Sequence, residues 1–225
     1  MPDSTWIAGG KMEHAGPSRY DLATDWIKKN RETFIGSVVI LVAAVVFSVY
    51  FFVHYRALRD DAWKDLFIAQ QIGYGGNIDA AQKQLETIET SFGSTSAAPY
   101  AVLTSGDILY AQGKYKDAEA QYSKLLNDKL LGPFASYNVG KCREAAGDLS
   151  GAQAQYSDFL SRYPEHYLAP EVSVSLADIE ELSGAKDLAE QTWEKISLLY
   201  PDTSWAMEAK AKLAPPPVSR PAGKK

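Results

Sequence analysis

Polar residues are distributed along this 225-residue chain in two ways. Between Phe34 and Val53 they almost vanish, and FIGSVVILVAAVVFSVYFFV runs twenty residues without a charge. Beyond about residue 60, apolar side chains return every three or four positions, the pattern of amphipathic helices. The first segment predicts one continuous apolar helix, and the second predicts a succession of helices with one buried face each.

As a helix the apolar segment covers roughly 30 Å, the hydrocarbon thickness of a bilayer. Fourteen of its twenty residues are Phe, Ile, Leu or Val. Near the helix centre such residues favour insertion by roughly 4 to 8 kcal/mol in total, an upper bound because end positions count for less. Lys28, Lys29 and Arg31 precede the span, Arg56 and Arg59 follow it, and Tyr50 and Tyr55 sit near one interface. A cleaved signal peptide is usually shorter and ends in small residues. The exit here, Val-Tyr-Phe-Phe-Val-His-Tyr-Arg56, is bulky throughout, so the segment reads as an uncleaved signal anchor. Four Lys or Arg lie close before the span (Arg19, Lys28, Lys29, Arg31) and three close after it (Arg56, Arg59, Lys64). By this narrow margin the amino terminus is assigned to the cytoplasm.

The remainder carries an internal repeat. Gly76-Ile78-Ala81-Leu85, Gly113-Tyr115-Ala118-Tyr122, Gly147-Leu149-Ala152-Tyr156 and Gly184-Lys186-Ala189-Trp193 follow one template, and their alanines are 37, 34 and 37 residues apart. Each glycine separates two helical stretches, where a helix carboxyl-terminal cap belongs. Each alanine falls where two helices cross closely. Pro164 and Pro201, each after a tyrosine, end the second helix of the third and fourth units. Lys186 places a charge where the other units carry an apolar residue, and the second unit lacks the terminal proline near Leu130.

With Ala69, Gly106, Gly140 and Ala177 as small residues in the first helices, this pattern resembles the tetratricopeptide repeat over roughly residues 62 to 203. The resemblance implies an all-α solenoid of about four helix hairpins behind a single transmembrane helix. Stacked hairpins of this kind bury a shared core and present a concave and a convex side. Residues 203–213 fit a terminal capping helix, with Thr203 or Ser204 as N-cap, Trp205 and Met207 inward, and Lys210 and Lys212 outward. The expected organisation is a flexible segment (1–20), a signal-anchor helix (21–57, span 34–53), a repeat domain (58–213) and a disordered Pro/Lys tail (214–225).

Composition narrows function by exclusion. A mean hydropathy of -0.24 averages the apolar span with a polar domain. From Ala57 to Leu213 there are fourteen Lys and Arg against twenty-three Asp and Glu, a net -9, which disfavours nucleic acid and anionic lipid as ligands of the domain. The single cysteine, Cys142, excludes an intramolecular disulfide framework and beside Gly140 reads as a packed thiol. His14, His54 and His166 share no helix face, and Gly73-Tyr-Gly-Gly-Asn77 lacks the Lys-Ser/Thr pair of a phosphate loop. No catalytic residue, cofactor or metal site is predicted.

The expected binding surface is the concave groove, lined in this repeat class by the first helix of each hairpin. Register transfer places Trp63, Leu66 and Gln70 there, then Tyr100, Leu103 and Asp107, then Phe134, Tyr137 and Lys141, then Glu171, Val174 and Asp178. Lys141 is the sole base among them, which disfavours a clamp for a peptide carboxylate and favours an apolar or basic-amphipathic polypeptide. Two roles are open to the rings: ligand anchors, or packing between repeats.

A short amino-terminal segment, a signal anchor and repeat hairpins, with Trp26-Ile-Lys-Lys-Asn-Arg31 before the span and a tyrosine-rich exit, resemble the ancillary subunit family of the bacterial Sec translocon. That resemblance implies a non-enzymatic inner-membrane scaffold with a periplasmic repeat domain, meeting the translocon, nascent chains or periplasmic chaperones. Tyr163-Pro and Tyr200-Pro-Asp-Thr-Ser-Trp-Ala also look like repeats of outer-membrane assembly and Tol-Pal proteins, and exposed repeat ends leave homo-oligomerisation open.

Overall fold

The computed structural model describes residues 18–214. His14, most of the amino-terminal segment and the Pro/Lys tail beyond 214 lie outside the described residues. Among the described residues the chain is all-helical. The helices are α1 (Arg19–Lys29), α2 (Arg31–Tyr74), α3 (Ile78–Ser91), α4 (Ala98–Ala111), α5 (Tyr115–Ser123), α6 (Gly132–Ala145), α7 (Leu149–Arg162), α8 (Ala169–Leu182), α9 (Lys186–Leu199) and α10 (Ser204–Leu213). Backbone contacts divide the chain into two compact units that meet after Arg56.

In the first unit the helix starts earlier than the sequence suggests and is interrupted. Ser18 caps α1 in a reciprocal box with Asp21: the Asp21 N–H donates to Ser18 Oγ at 3.3 Å and the Ser18 N–H to Asp21 Oδ2 at 3.0 Å. At Asn30 the backbone leaves helical geometry (φ -117°, ψ 40°). Both the Asn30 N–H and its side-chain amide donate to the Trp26 carbonyl, at 2.9 and 3.1 Å. The N–H bond is the last of the helix's own; the side-chain amide shares that carbonyl where the backbone turns out of the helix, so a single helix from 21 through the span becomes α1 and α2. The α2 helix is long and apolar enough to cross a membrane, with a mean hydropathy of 2.6 in its most apolar stretch. The serine hydroxyls of segment 34–53 are satisfied within the helix: Ser37 donates to the Thr33 carbonyl and Ser48 to the Ala44 carbonyl, both at 2.8 Å.

In the second unit the last turns of α2 pair with α3, and α4/α5, α6/α7 and α8/α9 form three further hairpins closed by α10. Four apolar clusters follow one another along this series. Each joins a hairpin to the first helix of the next. Leu66, Ala69, Leu85, Ile88 and Ala101 make one; Ala177, Ala189, Trp193, Ile196 and Ala209 make the one under α10. The template alanines Ala81, Ala118 and Ala152 are fully buried, and Ala189 nearly so. Gly76, Gly113, Gly147 and Gly184 all have φ between 75° and 87°. Nothing lies within 4 Å of where their Cβ atoms would be, so these glycines answer a backbone requirement and not a packing one.

The two irregular units have local explanations. The α5 helix stops at Ser123, and Asp128 Oδ1 accepts from the N–H groups of Leu130 and Leu131 at 2.8 Å each, turning the chain without a proline. Lys186 opens α9 exposed to solvent, while Gly184 and Ala189 keep their places, so the fourth unit stays in register. Three first helices carry a proline as their second residue, Pro99, Pro133 and Pro170, whose missing N–H costs nothing in a first turn. For α10, Thr203 is the cap: its Oγ1 accepts from the Ala206 N–H at 3.2 Å. Met207 is not inward but 67% exposed.

Candidate interaction surface on the first helices

Each hairpin is locked by one large side chain from its second helix seated on a small residue of its first. The pairs are Leu85 with Ala69, Tyr122 with Gly106, Tyr156 with Gly140 and Trp193 with Ala177, sixteen residues apart in every case. All eight are buried. The polar tips end on carboxylates. Tyr122 donates to Asp107 at 2.6 Å, Tyr156 to Glu144 at 2.7 Å and Trp193 Nε1 to Glu181 at 2.8 Å. Burial, reinforced by the neighbouring carboxylate, pushes both phenols far above the ordinary tyrosine range. One side of Asp107 opens to solvent, and its walled side raises its pKa through desolvation, opposed by the hydrogen bond from Tyr122.

With the second helices seated this way, corresponding positions of successive first helices touch. Trp63 stacks at a tilt on Tyr100, centroids 5.1 Å apart, and its Nε1 donates to Ser96 at 3.2 Å. The Gln70 amide donates to Thr104 at 3.3 Å. Lys141 Nζ lies 5.7 Å from the Tyr110 ring centre and 5.6 Å from that of Tyr137, an ammonium between two π faces. Glu171 accepts from the Tyr137 hydroxyl at 3.4 Å and from Trp205 Nε1 at 3.3 Å. Asp178 accepts from Lys212 at 3.0 Å. Phe134 meets His166 and Tyr167 edge-on, at 5.7 and 5.8 Å between centroids.

The expected groove residues therefore divide. Trp63, Asp107 and Glu171 are exposed; Tyr100, Leu103, Phe134, Tyr137, Lys141, Val174 and Asp178 are half-buried. Leu66 does not belong with them, being 3% exposed within the first apolar cluster. The reason is angular: one turn on from Trp63 its side chain points at Leu85 and Ile88, not at the open face. Leu103 and Val174 lean on the second and fourth clusters. So the rings bridge repeats and still show an accessible face. A cavity of about 340 Å³ opens between the first two repeats, walled by Gln70, Tyr74, Thr104, Asp107 and Ile108 among others.

Trp205 and Lys212 were missed as members of this surface, although the register extends to them. The series Trp63, Tyr100, Phe134, Glu171 continues 34 residues on to Trp205, and Gln70, Asp107, Lys141, Asp178 continues to Lys212. Lys212 faces outward, as its helical position predicts, and from that exposed place it bonds Glu181 at 2.8 Å as well as Asp178, and lies 5.0 Å from the Trp193 ring centre. The Lys212 bond holds Glu181 below the usual carboxylate range, and the Glu181 bond holds Lys212 above the usual ammonium range.

Among the described residues no group of three or more His, Cys, Asp or Glu side chains could hold a metal ion. His166 is part of the packing, its Nδ1 accepting from the Leu168 N–H at 3.2 Å.

Two family models described as tetratricopeptide repeat match the chain, one over residues 73–138 and one over 134–166. The chain thus carries tetratricopeptide repeats. Among curated proteins none matches the sequence. A tetratricopeptide repeat protein from Parabacteroides merdae is similar in structure, with a TM-score of 0.55 at 19% identity, covering 71% of this chain. The chain spans only 58% of that protein's length. A Podosopora anserina putative kinesin light chain with nearly identical repeats gives a TM-score of 0.55 at 11% identity, covering 69% of this chain and 84% of its own. At such identities the likeness is one of fold. Tetratricopeptide repeats, the motif that the family models match, are in general non-catalytic protein-interaction scaffolds.

Proposed function

We propose that this tetratricopeptide-repeat chain is a membrane-tethered scaffold of the bacterial cell envelope that holds extended polypeptide segments on its first-helix face. The observation that carries the reading is the row of side chains running from Trp63 and Tyr100 through Tyr137 and Lys141 to Glu171 and Trp205. Each is fixed by a neighbouring repeat, and each keeps an accessible face. Rings immobilised in advance lose little conformational freedom on binding, which makes them suitable anchors. Asp107 and Glu171, with Lys141 screened by two tyrosines, suit an apolar segment bearing basic residues.

The helix Arg31–Tyr74 supplies the tether, through its segment 34–53. In this reading the amino terminus is cytoplasmic, the repeats are periplasmic, and the division of the chain follows the expected organisation, with the tether ending near residue 57. A repeat domain held beside the membrane in the periplasm is placed to meet chains leaving the Sec translocon, or the chaperones that receive them. Supporting this are the order of segments and the sequence Trp26-Ile-Lys-Lys-Asn-Arg31 before the span.

Photocrosslinking in intact membranes tests the reading, with a photoreactive residue placed in turn at 63, 100, 137 and 141, and at 86 on α3 as a control. Translocon or nascent-chain adducts from the first four and none from 86 are expected. Recovery of only outer-membrane assembly or Tol-Pal proteins would transfer the chain to envelope assembly or division, and self-adducts alone would make it a self-assembling scaffold. A topology reporter fused after Leu213 is expected to be active in the periplasm; activity confined to the cytoplasm overturns the placement.

A further inference from the structure

Among the described residues the α1 helix has no tertiary partner to account for its apolar side. None of its residues is buried; Tyr20, Leu22 and Trp26 are 76%, 58% and 54% exposed. An isolated helix of this length is marginal in water. Its ends are nevertheless well made. The capping box of Ser18 and Asp21 closes one end, and Lys28 and Lys29 occupy the last turn, where positive charge favours the helix dipole.

At about 100° per residue, Leu22, Trp26, Ala23, Ile27 and Tyr20 fall within one arc of roughly 160°. Asp21, Thr24, Asp25 and Lys28 occupy the opposite side, and Lys29 marks the border. The acids are engaged within the helix, Asp21 in the cap and Asp25 beside Lys28 at 3.8 Å. Arg19 lies inside the apolar arc at the outer end, where a long stem can cover apolar surface while its guanidinium stays wet.

One residue, Asn30, separates this helix from α2. Because the backbone leaves helical geometry there, α1 is not obliged to follow the direction of the spanning helix. With α2 as the span, a tether of one residue also keeps α1 beside the bilayer surface, at a high effective concentration relative to the headgroups.

We propose that α1 is an interfacial helix. It lies in the headgroup region of the leaflet from which α2 departs, with Leu22, Ala23, Trp26 and Ile27 at the acyl boundary and Asp21, Asp25 and Lys28 toward water. The proposal rests on the reading of α2 as a membrane span. Trp26 and Tyr20 carry an apolar body and a polar tip, the type of side chain enriched at this depth. Lys28, Lys29 and Arg31 gather where the chain turns into the bilayer, beside the phosphates of anionic lipid.

Spin labels carried one at a time by the full chain, in a Cys142→Ala background, test this in vesicles of phosphatidylethanolamine and phosphatidylglycerol. Labels at 22, 23, 26 and 27 are expected to collide preferentially with oxygen, and labels at 21, 25 and 28 with a water-soluble nickel chelate. A label at 42 reports the span independently. In a Leu22→Asp/Trp26→Asp variant the label at 23 turns nickel-accessible while the label at 42 is unchanged. If every α1 label is nickel-accessible and the label at 42 meets oxygen, the interfacial helix is refuted and the anchor stands. Shielding of 22 and 26 from both reagents refutes it in favour of a protein contact. Nickel access at 42 refutes the anchor and the interfacial helix together.

Discussion

Tyr122 covers Gly106 so closely that a Cβ at Gly106 would lie 2.6 Å from the ring's Cε1 and 2.9 Å from both Cδ1 and Cζ. The same conflict holds between Gly140 and Tyr156. In the first repeat the partners are Ala69 and Leu85, and no glycine is needed. The fourth repeat seats Trp193 on Ala177, so it is the close approach of the tyrosine ring, and not side-chain width alone, that requires glycine in the second and third repeats.

A double-mutant cycle tests this dependence. Gly106→Ala alone is expected to destabilise by about 1–2 kcal/mol, the overpacking cost reduced by the better helix propensity of alanine. In a Tyr122→Leu background, which copies the first repeat's pair, the same change is expected to be neutral or stabilising by up to about 1 kcal/mol. Chemical denaturation followed by circular dichroism measures both; equal effects in the two backgrounds would show that the contact carries no energy.

Gly147 tests the backbone requirement without steric interference. Its φ is 80° and nothing lies within 4 Å of a Cβ there. Gly147→Ala is expected to cost about 1–2 kcal/mol, the strain of a left-handed conformation in an L-residue. Gly147→Asn is expected to cost less, because asparagine tolerates that region. Equal midpoints for the two variants in urea would contradict the assignment.

Lys212 is expected to hold α10 over a defined pH window. Glu181 is lowered in the folded state, so its contribution is present above the ordinary carboxylate value and is lost as pH falls through the lowered one. Lys212 is raised, so its contribution is present below the ordinary ammonium value and is lost as pH climbs through the raised one. All three side chains are more than a third exposed, so each pair contributes only about 0.2–1 kcal/mol. Amide exchange in α10, corrected for intrinsic rates, is expected to be slowest between these limits. Lys212→Ala should flatten the profile; a profile unchanged by that substitution would remove the clamp.

Cys142 is 1% exposed, and burial is the main cause that pushes its thiol up to about 12. A thiol-specific disulfide reagent at pH 8 is expected to leave the native protein unmodified and to react stoichiometrically once it is denatured. Prompt reaction of the native protein would show that α6 is not packed as described.

Much of this architecture follows from local rules that the sequence carries by itself. The apolar run from Phe34 needs only length and composition, and the four turn glycines need only a left-handed backbone position between two periodic stretches. Alanine spacing and the Tyr-Pro pairs mark helix crossings and stops within a single hairpin. Pro99, Pro133 and Pro170 were equally legible as first-turn residues. What only the tertiary structure decided depends on neighbours distant in sequence. Leu66 turns into the core because Leu85 and Ile88 lie beneath it, while Trp63, one turn earlier, does not. Lys212, solvated by its helical position alone, is drawn onto Asp178, Glu181 and the Trp193 ring by a helix some thirty residues away. Asn30 ends α1 by leaving helical geometry with its side-chain amide on the Trp26 carbonyl, a choice that helix propensity leaves nearly balanced. Periodicity says which side of a helix is apolar; only the packing of one repeat on the next says which of its edges stays open to a partner.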